Sequence, residues 1–146
     1  MVDLIALQAL YDAEISLVEP MQLKVVSFVD DSLTVRAPLE CNKNHHGTAF
    51  GGSLYCGLLL AGWGHVHLLL EEAGLKADIV VSKAEIKYRL PVAQDFEAYT
   101  VAPKAEFKQR FLEGVGKKGR GKLELTSRVD VDGKQAAALK VQFTVY

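Results

Sequence analysis

The segment Asn44 to Ser53, NHHGTAFGGS, places an amide, two histidines, two hydroxyls and a Gly-Gly pair directly ahead of a long apolar run. His45 and His46 carry imidazoles, the side chain most often used as a general base, so either can take that role; the alternative for each is a solvated loop histidine. Gly51 and Gly52, at the start of a helix, leave backbone N–H groups unpaired with the positive end of the helix dipole behind them. Such groups can hold a developing oxyanion, and glycine lets a reacting carbonyl approach the backbone. The same pair also suits a tight turn from loop to helix. Thr48 and Ser53 can cap the helix or position a water. Ser53 as a nucleophile would need a base in reach, and no Gly-x-Ser-x-Gly elbow surrounds it.

The elements around this segment can be read from periodicity. Leu4, Leu7, Leu10 and Tyr11 recur at helical spacing, predicting an amphipathic helix from Val2 to about Glu14, with Pro20 barring its continuation. LKVVSFVDDSLTVRAPL reads as two strands about an Asp30-Asp31-Ser32 turn. A long apolar helix is expected from Gly52 to about Ala73. Beyond Gly74 the pattern gives four strands, DIVVSKAEIKYRLPV, DFEAYTVAPKA, GKLELTSRVDV and KQAAALKVQFTVY, the last two joined at Asp132-Gly133. In the first of these, Ser82, Ala84, Ile86, Tyr88 and Leu90 share one face. All joins after the helix are expected to be antiparallel hairpins. The fold class is therefore α+β: one antiparallel sheet curled about one long central helix, with an extra N-terminal helix. A single sheet cannot cover a helix apolar on every side, which argues for self-association.

The chain has 146 residues and a net charge of -1, enough for one domain, residues 1–146, and no electrostatic reason for a nucleic-acid partner. Its two cysteines, Cys41 and Cys56, stand at no metal-site spacing. Together with an N-terminus lacking a signal-peptide pattern, they suggest a reducing, cytoplasmic setting. The run from Ser53 to Leu70 is long enough for a membrane span. Gly57, Gly62, Gly64, His65 and His67 interrupt it, however, and its flanks have no basic bias, so a buried helix is expected instead. His65 and His67 lie on different sides of that helix and do not converge on a metal. Gly116 to Lys122, GKKGRGK, is expected to be a mobile hairpin loop carrying Lys117, Lys118 and Arg120, and it is not a P-loop.

The architecture, with Asn44-His45-His46-Gly47-Thr48-Ala49-Phe50-Gly51-Gly52 at the helix entry, resembles the hotdog superfamily. Many of its small thioesterases, the phenylacetate-pathway type among them, carry Asn-x-x-Gly-x-x-His-Gly-Gly there. The spacing matches, with Phe50 in place of the histidine. IKYRLPVAQDFEAY is similar to the family's strand ending in an aromatic and a proline. GTAFGGSL looks most like thioesterases also found fused behind acetyltransferase-like domains. In the phenylacetate type, a catalytic aspartate follows the second glycine by seven residues. Leu59 occupies that position here, and no acid appears on the helix before Glu71 and Glu72.

The resemblance implies an acyl thioesterase acting on an acyl-CoA or an acyl carrier protein thioester, without cofactor or metal, as a dimer or a dimer of dimers. Asn44 would orient water or the carbonyl, Gly51 and Gly52 would hold the oxyanion, and His46 or Ser53 would assist the attack. His45, Thr48, Phe50, Tyr55, Leu59 and Trp63 would contact substrate, with core packing as the other use of the helix residues. Lys117, Lys118 and Arg120 would meet the carrier's phosphates or acidic face, and otherwise form a solvated turn. Two other functions fit the same fold. One is a 3-hydroxyacyl thioester hydratase or dehydratase, which needs a converging histidine and carboxylate. The other is an acyl-CoA-binding module without chemistry, which Leu59 favours.

Overall fold

A computed structural model describes residues 2–146. Helix α1 (Leu4–Glu14) starts at Asp3, whose carboxylate accepts the Ala6 N–H at 2.9 Å. α1 ends at Glu14, and a separate short helix α2 (Val18–Met21) holds Pro20 at its third position, where the missing N–H falls in the first turn. Strands β1 (Lys24–Val29) and β2 (Ser32–Ala37) form a hairpin. Its turn residues, Asp30 and Asp31, have φ of 50° and 57°, the left-handed pair that matches strand twist. A 3-10 turn (Glu40–Asn42) and the entry loop lead into helix α3 (Gly51–Glu72).

Three more strands, β4 (Phe96–Thr100), β5 (Gly121–Val131) and β6 (Lys134–Val145), complete the sheet with β3 (Ile79–Tyr88). The spatial order is β1-β2-β4-β5-β6-β3, antiparallel throughout. Only β1–β2 and β5–β6 are hairpins, the latter through Asp132 (φ 52°) and Gly133 (φ 76°). The expected hairpin between β3 and β4 does not form: β3 pairs with β6 at one edge, and the chain then crosses to β4 beside β2. Side-chain alternation sets which face of β3 is buried but not which strand lies beside it. As an edge strand with a bulge between Val81 and Lys83, β3 covers only Ala84 and Ile86 of the expected face; Ser82, Tyr88 and Leu90 are exposed.

A second correction concerns residues 105–118, which form helix α4 (Ala105–Lys118) between β4 and β5. Phe107, Phe111 and Val115 recur every four residues, and Phe111 and Val115 are buried. The GKKGRGK stretch is thus not a mobile hairpin loop. Lys117 and Lys118 end α4, where they suit the negative end of its dipole, and Gly119 (φ 72°) stops it in the left-handed conformation.

The sheet sheathes α3, which touches every strand from β2 to β6. Two glycines let the layers meet. A Cβ on Gly62 would lie 2.9 Å from the Phe143 ring, and one on Gly64 would run into the Tyr11 hydroxyl and lie 2.7 Å from Leu33. Tyr11, fully buried, donates to the Leu60 carbonyl and so bolts α1 onto α3. Two of the glycines that interrupt the apolar run, Gly62 and Gly64, are thus packing notches.

Candidate active site

The entry loop is braced by Asn44. Its side-chain carbonyl accepts the N–H groups of His46 at 2.9 Å and Thr48 at 3.1 Å, while its amide donates to Thr48 Oγ1 at 2.9 Å. Backbone bonds from Asn44 N–H to the Thr48 carbonyl (2.8 Å) and from Gly47 N–H, at φ 79°, to the Asn44 carbonyl close the turn. Ala49 N–H donates to the Val92 carbonyl and Phe50 N–H to the Asn42 carbonyl, both at 2.7 Å. The loop therefore delivers the chain to α3 in one fixed direction.

At the start of α3, the Ser53 and Leu54 N–H groups both donate to the Phe50 carbonyl, at 2.9 and 3.0 Å. The N–H groups of Gly51 and Gly52 engage no acceptor among the described residues, and no side chain caps the helix. Two free donors thus lie at the positive end of a 22-residue helix. Beside Gly51 runs a groove of about 340 Å³ lined by Asn44, Thr48, Leu54 and residues 88–92.

Tyr88, from the end of β3, donates its hydroxyl to the Gly51 carbonyl at 2.8 Å and lays its ring 3.4 Å from where a Gly51 Cβ would be. Burial, with Tyr55 nearby, pushes its phenol above the usual tyrosine value, so it is a neutral donor at physiological pH. Sequence reasoning did not single out Tyr88 for the site. The available signal was the strand-end aromatic in IKYRLPV, and its 37-residue separation from Gly51 hid the contact.

The other named residues distribute as follows. His45 and His46 are exposed and pack on each other, ring centroids 3.8 Å apart, outside the groove lining. Thr48 Oγ1 is held by Asn44 and lines the groove. Ser53 is half-buried, and its hydroxyl makes no bond among the described residues. Phe50 is exposed and covers Gly52, whose Cβ would lie 2.5 Å from its ring. Tyr55, Leu59 and Trp63 form a half-buried stripe along α3, continued by His67, which stacks on Trp63 at 5.4 Å and pairs with Glu71 at 3.3 Å. Leu58 is fully buried core.

Lys117, Lys118 and Arg120 are not brought to Gly51 within one chain. Gly121 stands opposite Val145, which pairs with Ile79 at the start of β3, whereas Tyr88 is at its end. The nine intervening steps of strand span about 30 Å. Lys118, Arg120 and Lys122 instead rim a separate groove of about 360 Å³.

A curled six-stranded antiparallel sheet wrapped on one long helix, with free amides at the helix entry, defines a hotdog fold. The family model described as "Putative thioesterase (yiiD_Cterm)" matches residues 4–146, and the chain belongs to that family. Among solved structures, a "putative thioesterase" from Shewanella oneidensis is 31% identical, with 97% of this chain and 95% of that one covered at a TM-score of 0.84. A protein of unknown function from Chlorobaculum tepidum is 28% identical over 97% and 92% of the two chains, with a TM-score of 0.90. A thioesterase from Haemophilus influenzae shares the fold at 17% identity, 100% and 92% coverage and a TM-score of 0.74.

Proposed function

We propose that this protein hydrolyses an acyl thioester, with the thioester carbonyl oxygen resting on the Gly51 and Gly52 N–H groups. The observation that carries this reading is the pair of unengaged donors at the positive end of α3, the first of them, on Gly51, beside an open groove. Attack by water moves charge onto the carbonyl oxygen as the tetrahedral centre forms, and these amides stabilise that charge without reorganising. The tetrahedral centre then collapses, the C–S bond breaks, and the thiol carries away its sulfur with a proton.

Asn44 serves by fixing the loop that aims the amides, since its side chain is fully engaged there. Tyr88 steadies the first turn through Gly51 and walls the groove. His46, His45 and the Ser53 hydroxyl are the groups near the entry able to accept or relay the water's proton. Tyr55, Leu59 and Trp63 offer an apolar stripe to the acyl chain. The unpaired edge of β3, with Val80 and Val81 each about two-fifths exposed, supports association with a second copy. For Lys117, Lys118 and Arg120 to meet the phosphates of coenzyme A or an acidic carrier at Gly51, they must come from such a copy. Free Cys41 and Cys56 are consistent with a cytoplasmic setting.

Release of thiol from a panel of acyl-CoAs tests the proposal, with Asn44→Ala and His46→Ala beside the wild-type protein. Turnover that falls in Asn44→Ala supports it, and a fall in His46→Ala as well assigns the proton to that histidine. Binding of acyl-CoA without thiol release would favour the non-catalytic module.

A further inference from the structure

Far from Gly51, a chain of polar groups runs into the core. Lys108 Nζ on α4 lies 3.2 Å from Asp31 Oδ2 in the β1–β2 turn. Asp31 Oδ1 lies 3.1 Å from Nε2 of His65, which is fully buried on α3. His65 Nδ1 is 2.7 Å from Thr100 Oγ1 at the end of β4. Thr100 Oγ1 also accepts the Leu33 N–H of β2 at 2.8 Å, and the Phe28 ring of β1 meets the imidazole edge-on at 5.1 Å. Asp31 can only accept, so Nε2 carries a proton, and a neutral His65 receives the Thr100 hydroxyl at Nδ1. Every ring nitrogen is then satisfied.

The chain's outer end holds something that little else holds. β4 ends at Thr100, with Tyr99 opposite Arg128, Thr100 opposite Ser127 and the Val101 N–H donating to the Thr126 carbonyl at 2.8 Å; beyond it α4 packs along β5. The C-terminal half of α4 is anchored by buried Phe111 and Val115, packed against Gly121. Its N-terminal half, residues 105–110, buries no apolar side chain; Phe107 is 46% exposed and no side chain caps the helix. The half-buried Lys108, reaching Asp31, is the polar tie of that half.

We propose that Lys108, Asp31, His65 and Thr100 form a pH-sensitive latch that fastens the N-terminal half of α4 beside β5, past the end of β4. Asp31 and Lys108 are the charged groups facing the ring, from the β1–β2 turn and α4; Thr100, Leu33 and Phe28 complete its surroundings. Protonation at Nδ1 turns the ring into a cation. The new N–H points at Thr100, which must rotate its own hydroxyl proton away, and the imidazolium competes with Lys108 for the Asp31 carboxylate. The tie to α4 loosens, and the flap lifts from β5 while Phe111 and Val115 stay seated as its hinge. Burial, which opposes the cation, shifts this event below the ordinary histidine value, with the Asp31 carboxylate pulling the other way.

Amide hydrogen exchange at about pH 7.5 and about pH 5, corrected for intrinsic rates, tests the latch on either side of the histidine range. In the wild-type protein, protection across residues 105–110 falls roughly tenfold on acidification while β6 keeps its protection. In Lys108→Met, which keeps an apolar stem and removes the charge, that protection is already low at the higher pH and no longer responds. His65→Gln, if it folds, abolishes the response with the segment still protected. Equal protection of residues 105–110 at both pH values in the wild type, or the full pH response persisting in Lys108→Met, overturns the proposal.

Discussion

Gly64→Ala isolates the contact that docks α1 on the central helix. In a solvated helix this change would stabilise by about 1 kcal/mol through lower backbone entropy. Here the added methyl would collide with the Tyr11 hydroxyl and lie 2.7 Å from Leu33 Cδ2 and 3.2 Å from Leu7 Cδ2, all fully or almost fully buried. Tyr11 can escape only by leaving the Leu60 carbonyl, which strands a buried hydroxyl at a cost of about 1–3 kcal/mol. Forcing a methyl into a packed interface adds about 1–3 kcal/mol. Set against the propensity gain, the expected net loss is roughly 1–5 kcal/mol. Tyr11→Phe alone loses one hydrogen bond, about 1 kcal/mol, because the Leu60 carbonyl also belongs to the helix ladder. Removing the oxygen makes room for the methyl, so Gly64→Ala in the Tyr11→Phe background should cost less, by about 1–2 kcal/mol. Urea unfolding of wild type, both single variants and the double variant measures this. Strictly additive losses, or a stabilised Gly64→Ala, would refute the packing argument.

Three further outcomes follow from the same geometry. Burial lowers the His65 pKa, with Asp31 opposing and Lys108 assisting. Its folded-state value thus lies below its unfolded one, so stability is unaffected above the ordinary histidine value and declines as pH falls through it; His65→Gln should flatten that slope in denaturant midpoints measured from pH 7.5 to about 5. Tyr88→Phe removes the hydroxyl bonded to Gly51 and should lower kcat several-fold with KM little changed, for a stability loss of about 0.5–1.5 kcal/mol by thermal unfolding. Asn44→Ala releases three loop bonds; exchange protection across residues 44–50 should fall while β5 and β6 keep theirs, and uniform loss across the sheet would contradict the loop's independence.

How much of this could be read in advance depends on the range of the interactions. The central helix, the two turns at Asp30-Asp31 and Asp132-Gly133, and the curled-sheet class all rest on local spacing, and all appear. Helix α4 was hidden because its apolar stripe is one residue wide and Gly114 and Gly116 weaken its propensity; Phe107, Phe111 and Val115 were the overlooked pattern. The place of β3 beside β6 was hidden because alternation along a strand carries no information about its neighbour. At the site, the Gly-Gly entry was legible because a helix N-terminus follows from sequence. Tyr88 was not, and neither were the partners of His65, because those contacts are made between elements.

The central claim is that backbone N–H groups at the α3 entry hold the thioester oxygen, and Gly51→Pro addresses one of them directly. Gly51 is the first residue of the helix, where proline fits, and Phe50 before it is already extended at φ -62° and ψ 134°, as a residue preceding proline must be. The substitution deletes one donor without breaking an internal bond. Gly51→Ala keeps the donor and adds only a methyl at ordinary contact with Tyr88, 3.4 Å away. With thiol release from an acyl-CoA substrate as the readout, Gly51→Pro should lose about a hundred- to a thousandfold in kcat with its circular dichroism unchanged, and Gly51→Ala should stay within severalfold of wild type. A folded Gly51→Pro protein that turns over at the wild-type rate would contradict the account.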